Sequence, residues 1–449
     1  MELTNEHIFS GVILFMVAEF TWEFYLAIRQ HKIYRKHTKI PNELIGILSQ
    51  DTFDKARLYA IDKSKFSMVN DALSLAFAIA FLFCDGLLLS WNYGGNICKS
   101  MGFRENEIIQ TAVTVFVLNI LTFVVGLPAN IYYTFVVEQK HGFNKQTPSF
   151  YACDKLKMLV LNQVIVVPLM CGIIYIVKIG GDYFFVYLWV FVMAITLFLY
   201  TIYPDYIAPL FDKYTVLPKG ELREEIEKLA SSVDFPLYKL YVVEGSKRSA
   251  HSNAYFYGFF KNKRIVLFDT LLKDYEPENS KKDTKKEEET KLDKQEKKGC
   301  DTMEVLAVLG HELGHWKYNH VLKNLVIMQA NLFLLFLVFG KLFHYKALYA
   351  AFGFYDSTPI LIGFIIVFHF ICLPYFELVN FCIAILSRRF EFQADQFAKS
   401  LGRVNHLKLA LIKLNSDNLG FPIYDPWYSK WHHSHPPLLE RLQALDKND

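Results

Sequence analysis

Seven apolar stretches, each long enough to cross a bilayer as a helix, limit what this chain can fold into more than any other feature. A span needs roughly 17–25 residues of helix, and lipid forces its backbone polar groups to be satisfied within the protein. The stretches run Ile8–Ile28, Val69–Trp91, Ile108–Tyr132, Met158–Ile179, Tyr183–Tyr203, Leu322–Phe343 and Pro359–Leu386. Gly126 and Pro128 interrupt the third, which makes it the weakest span. Glu2 and Glu6 precede the first, where a signal peptide would be basic, and no small-residue cleavage site follows. It reads as a span. With 53% hydrophobic residues, the chain is too apolar for an ordinary soluble protein.

Basic residues set the orientation. The segment after the first span carries Arg29, Lys32, Arg35, Lys36, Lys39, Lys55, Arg57, Lys63 and Lys65, whereas the segment after the second carries only Lys99 and Arg104. By the positive-inside rule the N-terminus is lumenal and the C-terminus cytosolic. The chain then divides into spans one to five with their loops (1–203), a cytosolic piece (204–320), spans six and seven (321–386) and a second cytosolic piece (387–449). The first cytosolic piece holds strand-like runs at Lys239–Glu244 and Arg264–Phe268, with Asn253–Gly258 between them as a strand or hairpin arm. Residues 273–298 are so densely charged that they read as a disordered loop. The fold class is therefore a predominantly α, polytopic membrane protein with a small β-sheet.

Other features narrow the function. A net charge of +3 leaves no nucleic-acid footprint. The seven cysteines are scattered without a CxxC pair and read as free thiols. Polar residues fall inside spans: Glu19, Glu23, Asn119, Asn162, Gln163, Lys323, His369 and Glu377. Such residues rarely face lipid. They fit either interhelical hydrogen bonds or a hydrated chamber between the helices, and their number favours the chamber.

His311-Glu312-Leu313-Gly314-His315 is an HExxH pattern. On a helix, His311 and His315 share a face and can hold one zinc ion, with Glu312 beside them as the general base. Zinc needs a third protein ligand. No third histidine follows at a metzincin spacing, so a distant glutamate is expected. Ser387-Arg388-Arg389-Phe390-Glu391-Phe392-Gln393-Ala394-Asp395 supplies Glu391, with Asp395 one turn on to orient a ligand histidine. Both motifs meet the membrane on the same face. A donor for the reaction's oxyanion is expected among His432, His433, His435 and Arg441. Asn253, Ala254 and Tyr255 begin a segment suited to pairing with an extended substrate.

These segments together resemble the CAAX prenyl protease 1 family of membrane zinc endopeptidases. The marks are Glu138–Asn144 (EQKHGFN), Ile179–Phe185 (IGGDYFF), Ile207–Asp212 (IAPLFD), Val243–Ser249 (VEGSKRS), His251–Gly258 (HSNAYFYG), HELGHW at 311–316, RRFEFQAD at 388–395 and SHPPLLERL at 434–442. The resemblance covers almost the whole chain. It implies seven helices in a barrel around a water-filled chamber, capped by a gluzincin-type domain with one Zn2+ per chain. It implies residence in the endoplasmic reticulum and inner nuclear membranes. The substrates it implies are farnesylated CAAX proteins, which lose their last three residues and in some cases are cut again upstream. It places Asn253, His435 and Arg441 beside the substrate. The charged tract before Cys300 is shorter than in some relatives. Two rival readings use the same residues: a membrane quality-control protease, and a lipid-binding scaffold with a vestigial metal site. The oligomeric state is not legible.

Overall fold

The computed structural model describes residues 4–103, 106–258, 262–273, 275 and 298–447. The first long helices are α1 (Asn5–Lys36) and α2 (Gln50–Phe83), opened by Thr4 and Ser49, whose side chains accept from backbone N–H groups of the first turn. The second apolar run does not form one span. α2 ends at Phe83, Asp85 takes a left-handed φ of 51°, and a separate helix, α3 (Gly86–Ser100), follows and carries Trp91. Asp85-Gly86 marks the turn in the sequence, but the apolar residues on both sides of it make the run read as one span. α4 (Glu107–Tyr132) runs straight through Gly126 and Pro128 and continues as a π turn to Glu138. The expected weak point is thus an intact span. Lipid offers no water to open polar groups, so the helix persists; the Asn130 amide also donates to the Gly126 carbonyl, across Pro128, at 2.9 Å. α5 (Pro148–Ile179) and α6 (Phe184–Ile202) follow.

The soluble part begins with β1 (Tyr214–Val216), α7 (Glu221–Ser232), β2 (Leu237–Val243), β3 (Ala254–Tyr257) and β4 (Lys263–Phe268). They form one sheet in the order β1-β2-β4-β3, with β2 and β4 parallel and the outer pairs antiparallel. The expected strands are all present; β1 and α7 were not foreseen. Leu240, Val242, Ile265 and Leu267 are buried against α8 (Thr302–Lys317), through Val305, Leu306 and Leu309. Asp301 and Glu304 open α8 with a capping box, and Lys413 adds an ion pair to Glu304 at 2.6 Å. The charged tract falls almost wholly outside the described residues.

After α8 the chain turns at Asn319 (φ 55°) into α9 (His320–Leu342), then the short α10 (Lys346–Ala350) and α11 (Ile360–Ile365). α11 runs through a π turn to Ile371, and α12 (Leu373–Ser400) leaves at an angle of 56°. The seventh span is therefore a broken pair, not the single helix expected. Pro374, in the first turn of α12, has no N–H to join the two ladders. Among the described residues, six helices are long and apolar enough to cross a membrane, seven if this pair is one span. The chain closes with α13 (Val404–Asp417), α14 (Pro426–His432) and α15 (Leu438–Asp446). Asp425 caps α14 and pairs with Arg29 of α1 at 2.8 Å, which ties the C-terminal segment to the membrane bundle.

Candidate metal centre

α8 and α12 build the site by packing closely. Gly314 makes this possible: a Cβ there would lie 2.9 Å from the Ala394 Cα. The contact brings Glu391 of α12 against both histidines of α8. The Nε2 atoms of His311 and His315 are 3.1 Å apart, and they lie 3.5 and 3.2 Å from the two Glu391 carboxylate oxygens. Zinc with bonds of roughly 2.0–2.1 Å in a tetrahedron holds its ligand atoms about 3.3 Å apart, so the triangle has the right size.

Hydrogen bonding shows that the triangle is built for a cation. His311 Nδ1 is 2.8 Å from Asp395 Oδ1. A carboxylate only accepts, so Nδ1 carries the proton and Nε2 presents a lone pair. The buried Glu391 Oε2 atom meets, among the described residues, no nearer donor than His311 Nε2 at 3.5 Å and Arg441 Nη1 at 3.6 Å, loose contacts for a buried carboxylate. Burial opposes charge on His311, yet hydrogen bonds to Asp395 and Glu391 outweigh it and hold its pKa up at about 9. The cluster thus draws positive charge to its centre, and a divalent cation would take the proton's place. Among the described residues, His311, His315 and Glu391 offer ligand atoms that all lie within 4.8 Å of one another. Beside them, burial raises the pKa of Glu312, with His311 and His315 pulling it back down. That is the direction a general base needs.

A cleft of about 520 Å3 opens over this cluster. Its walls include Glu312, Asn253, Ala254, Tyr255, His435 and Arg441. His435 Nε2 stands 3.3 Å from Glu391 Oε1, on a side chain that is 70% exposed to the cleft. β3 is the edge strand of the sheet. Phe268 donates its N–H to the Asn253 carbonyl at 3.0 Å. Antiparallel pairs alternate, so Tyr255 and Tyr257 bond toward β4 while Phe256 turns its N–H and C=O, and Ala254 its C=O, to the open edge; the Ala254 N–H is held by Asn253 Oδ1 at 2.8 Å.

Known protein families match the chain over almost its whole length. Residues 217–449 match the model of peptidase family M48, and residues 30–213 match "CAAX prenyl protease N-terminal, five membrane helices". The CAAX prenyl protease 1 homolog of Mus musculus is 53% identical over 98% of this chain and 96% of its own. The chain belongs to the CAAX prenyl protease 1 family of M48 metallopeptidases. The CAAX prenyl protease 1 of Saccharomyces cerevisiae is 36% identical over 96% of this chain and 94% of its own. The crystal structure of S. mikatae Ste24p matches with a TM-score of 0.84 at 35% identity, over 97% of this chain and 98% of that one. This M48 metallopeptidase is accordingly a multi-pass membrane protein. The quality-control and vestigial-scaffold readings are not favoured.

Within this M48 site, some expected residues stand differently from the sequence reading. Arg441 gives Nε and Nη2 to Asp395, at 2.8 and 2.6 Å, so most of its guanidinium braces the carboxylate that holds His311. The Tyr255 hydroxyl lies 3.3 Å from that of Tyr214, and the Ala254 side chain joins the sheet core, which leaves backbone as their contribution to the cleft. Three residues were missed. Asn418 takes the Ser252 N–H at 2.9 Å and so fixes the start of β3. His320 approaches His315, and Gln393 approaches His320. No short motif marks Asn418. His320 and Gln393 flank the two metal motifs in the sequence, and that proximity was the available signal.

Proposed function

We propose that this chain is a zinc-dependent endopeptidase that removes the last three residues of farnesylated CAAX proteins and cuts some of them again upstream. The supporting observation is the closed triangle of His311, His315 and Glu391 beside Glu312, at the foot of an open strand edge. The relatives' name, CAAX prenyl protease 1, supplies the substrate class. The site faces the cytosol and nucleoplasm, from endoplasmic reticulum and inner nuclear membranes, as the basic loops after the first span suggest.

His311, His315 and Glu391 would hold a zinc ion, which would supply a Lewis acid to acidify water and polarise the scissile carbonyl. The substrate pairs in an extended form with the Ala254 C=O and with the N–H and C=O of Phe256, backbone to backbone. The Asn253 Oδ1 accepts the Ala254 N–H at 2.8 Å, and its amide donors turn to a substrate carbonyl. Glu312 takes the proton of the attacking water and passes it to the leaving amine. His435 donates to the oxyanion. Asp395, braced by Arg441, keeps His311 Nδ1 protonated and its ring in place.

The test is a digest of a farnesylated C-terminal peptide, with products assigned by mass spectrometry. Release of the C-terminal tripeptide from the farnesylated peptide, and not from its unmodified twin, is the expected result. Equal cleavage of both would favour a general membrane protease, and no cleavage of either would remove the assignment.

A further inference from the structure

The two histidines of the cluster are held by different chemistry. His311 leans on the charged Asp395. His315 leans on another imidazole: its Nδ1 is 3.0 Å from Nδ1 of His320. His320 is the first residue of α9 and is only 2% exposed. Its ring lies flat on Phe390, with centroids 4.0 Å apart and planes 9° apart. Phe390 adjoins Glu391 on α12, so the stack fixes the His320 ring relative to the third ligand. On its far side, His320 Nε2 is 3.0 Å from Gln393 Oε1.

Proton positions follow from that chain. An amide oxygen only accepts, so His320 Nε2 carries a proton and donates to Gln393. The neutral ring then has a bare Nδ1, which accepts from Nδ1–H of His315. His315 is left with a lone pair on Nε2, the atom that faces His311 and Glu391 at 3.1 and 3.2 Å. We propose that His320, set by Gln393 and Phe390, is a positioning residue that fixes the tautomer and ring orientation in which His315 binds metal. This rests on His311, His315 and Glu391 being the metal ligands. It also predicts an asymmetric site: a carboxylate makes His311 the more basic ligand, while the neutral relay keeps the charge of the centre from falling further.

The experiment uses full-length protein in detergent, titrated with zinc against a chromogenic chelator, together with the visible absorption of the cobalt-loaded form. His320→Phe keeps a ring on Phe390 but removes the acceptor. It is expected to weaken zinc binding roughly 10–100-fold, as loss of an outer hydrogen bond to a ligand does, and to shift the cobalt spectrum. His320→Asn, which places an amide oxygen near the lost Nδ1, is expected to restore part of that affinity. Gln393→Leu is expected to weaken binding less than His320→Phe, and it decides the matter if His320→Phe does not fold. Wild-type affinity in the folded His320→Phe protein, or equal weakening by His320→Phe and His320→Asn, would overturn the proposal, as would wild-type affinity in Gln393→Leu if His320→Phe does not fold. His315→Ala separates the two levels: if it retains zinc, the ligand assignment fails. If it loses zinc while His320→Phe does not, only the relay fails.

Discussion

Gly314 offers a direct test of how the site is held together. A Cβ at this position would lie 2.9 Å from the Ala394 Cα, 3.0 Å from the Phe397 Cβ and 3.1 Å from the Ala394 carbonyl oxygen. Carbon contacts settle at about 3.5–4.0 Å, so Gly314→Ala overlaps by roughly 0.5–1 Å. Two of the three atoms are backbone, and no rotamer change relieves them. α12 must move away from α8. Ala394 stands three residues after Glu391 and one before Asp395, so both carboxylates move with it. A metal site tolerates only about 0.2 Å in its ligand distances. The overpacking itself costs about 1–3 kcal/mol, offset in part by the ~1 kcal/mol that alanine gains over glycine in a helix. Metal affinity is expected to fall roughly 10–100-fold, comparable to losing an outer partner of a ligand. Gly310→Ala is the matched control, because its Cβ would meet nothing nearer than 3.5 Å. It should keep full affinity and gain stability. Chelator competition and thermal unfolding with and without EDTA measure both. Unchanged metal affinity in Gly314→Ala, or equal damage from Gly310→Ala, would refute the close-packing argument.

Four further outcomes are expected. Glu312→Gln keeps its metal and loses turnover, because the ligands stay while the proton acceptor goes; normal turnover would displace Glu312 as the base. Asp395→Ala weakens metal binding roughly 10–100-fold, and isothermal titration showing wild-type affinity would contradict its role on His311. Asn418→Ala frees the start of β3 at a cost of about 1 kcal/mol, or roughly five-fold in KM, with metal content unchanged; a kcat effect alone would argue against substrate pairing at that edge. Asp301→Ala removes the capping box of α8 and should lower the unfolding temperature by an amount equivalent to about 1 kcal/mol, with a smaller effect meaning that Lys413 holds Glu304 unaided.

The metal motifs were legible because their chemistry dictates their spacing. His311 and His315 need one helix face, and Glu391 and Asp395 need another, so i,i+4 pairs announce themselves in sequence. Span existence was equally legible, since length and apolarity are its physical requirements. Breaks were not. Pro128 suggested a break and made none, because lipid punishes open carbonyls. Asp85-Gly86 and Pro374 made breaks, yet each sits in a run whose flanks are apolar enough to read as one span. The role of Arg441 was half visible: its proximity was expected, but its pairing with Asp395 depends on how α15 docks on α12. His320 was invisible as a partner because its meaning lies in a tautomer chain that only three-dimensional proximity creates.

The ligands on α8 precede two membrane crossings, and the ligand on α12 follows them. This order makes the protease a coincidence detector of its own assembly. In the proposed ligand set, a nascent chain holding His311 and His315 lacks its third ligand, and one with a misplaced bent pair would hold Glu391 away from them. Arg441, later still, must dock before Asp395 is braced. On that ligand set, cutting power is expected only once α12 has been placed and the tail has folded back onto α1. During synthesis, when the chain lies among other unfolded membrane segments, it has no working blade to turn on them.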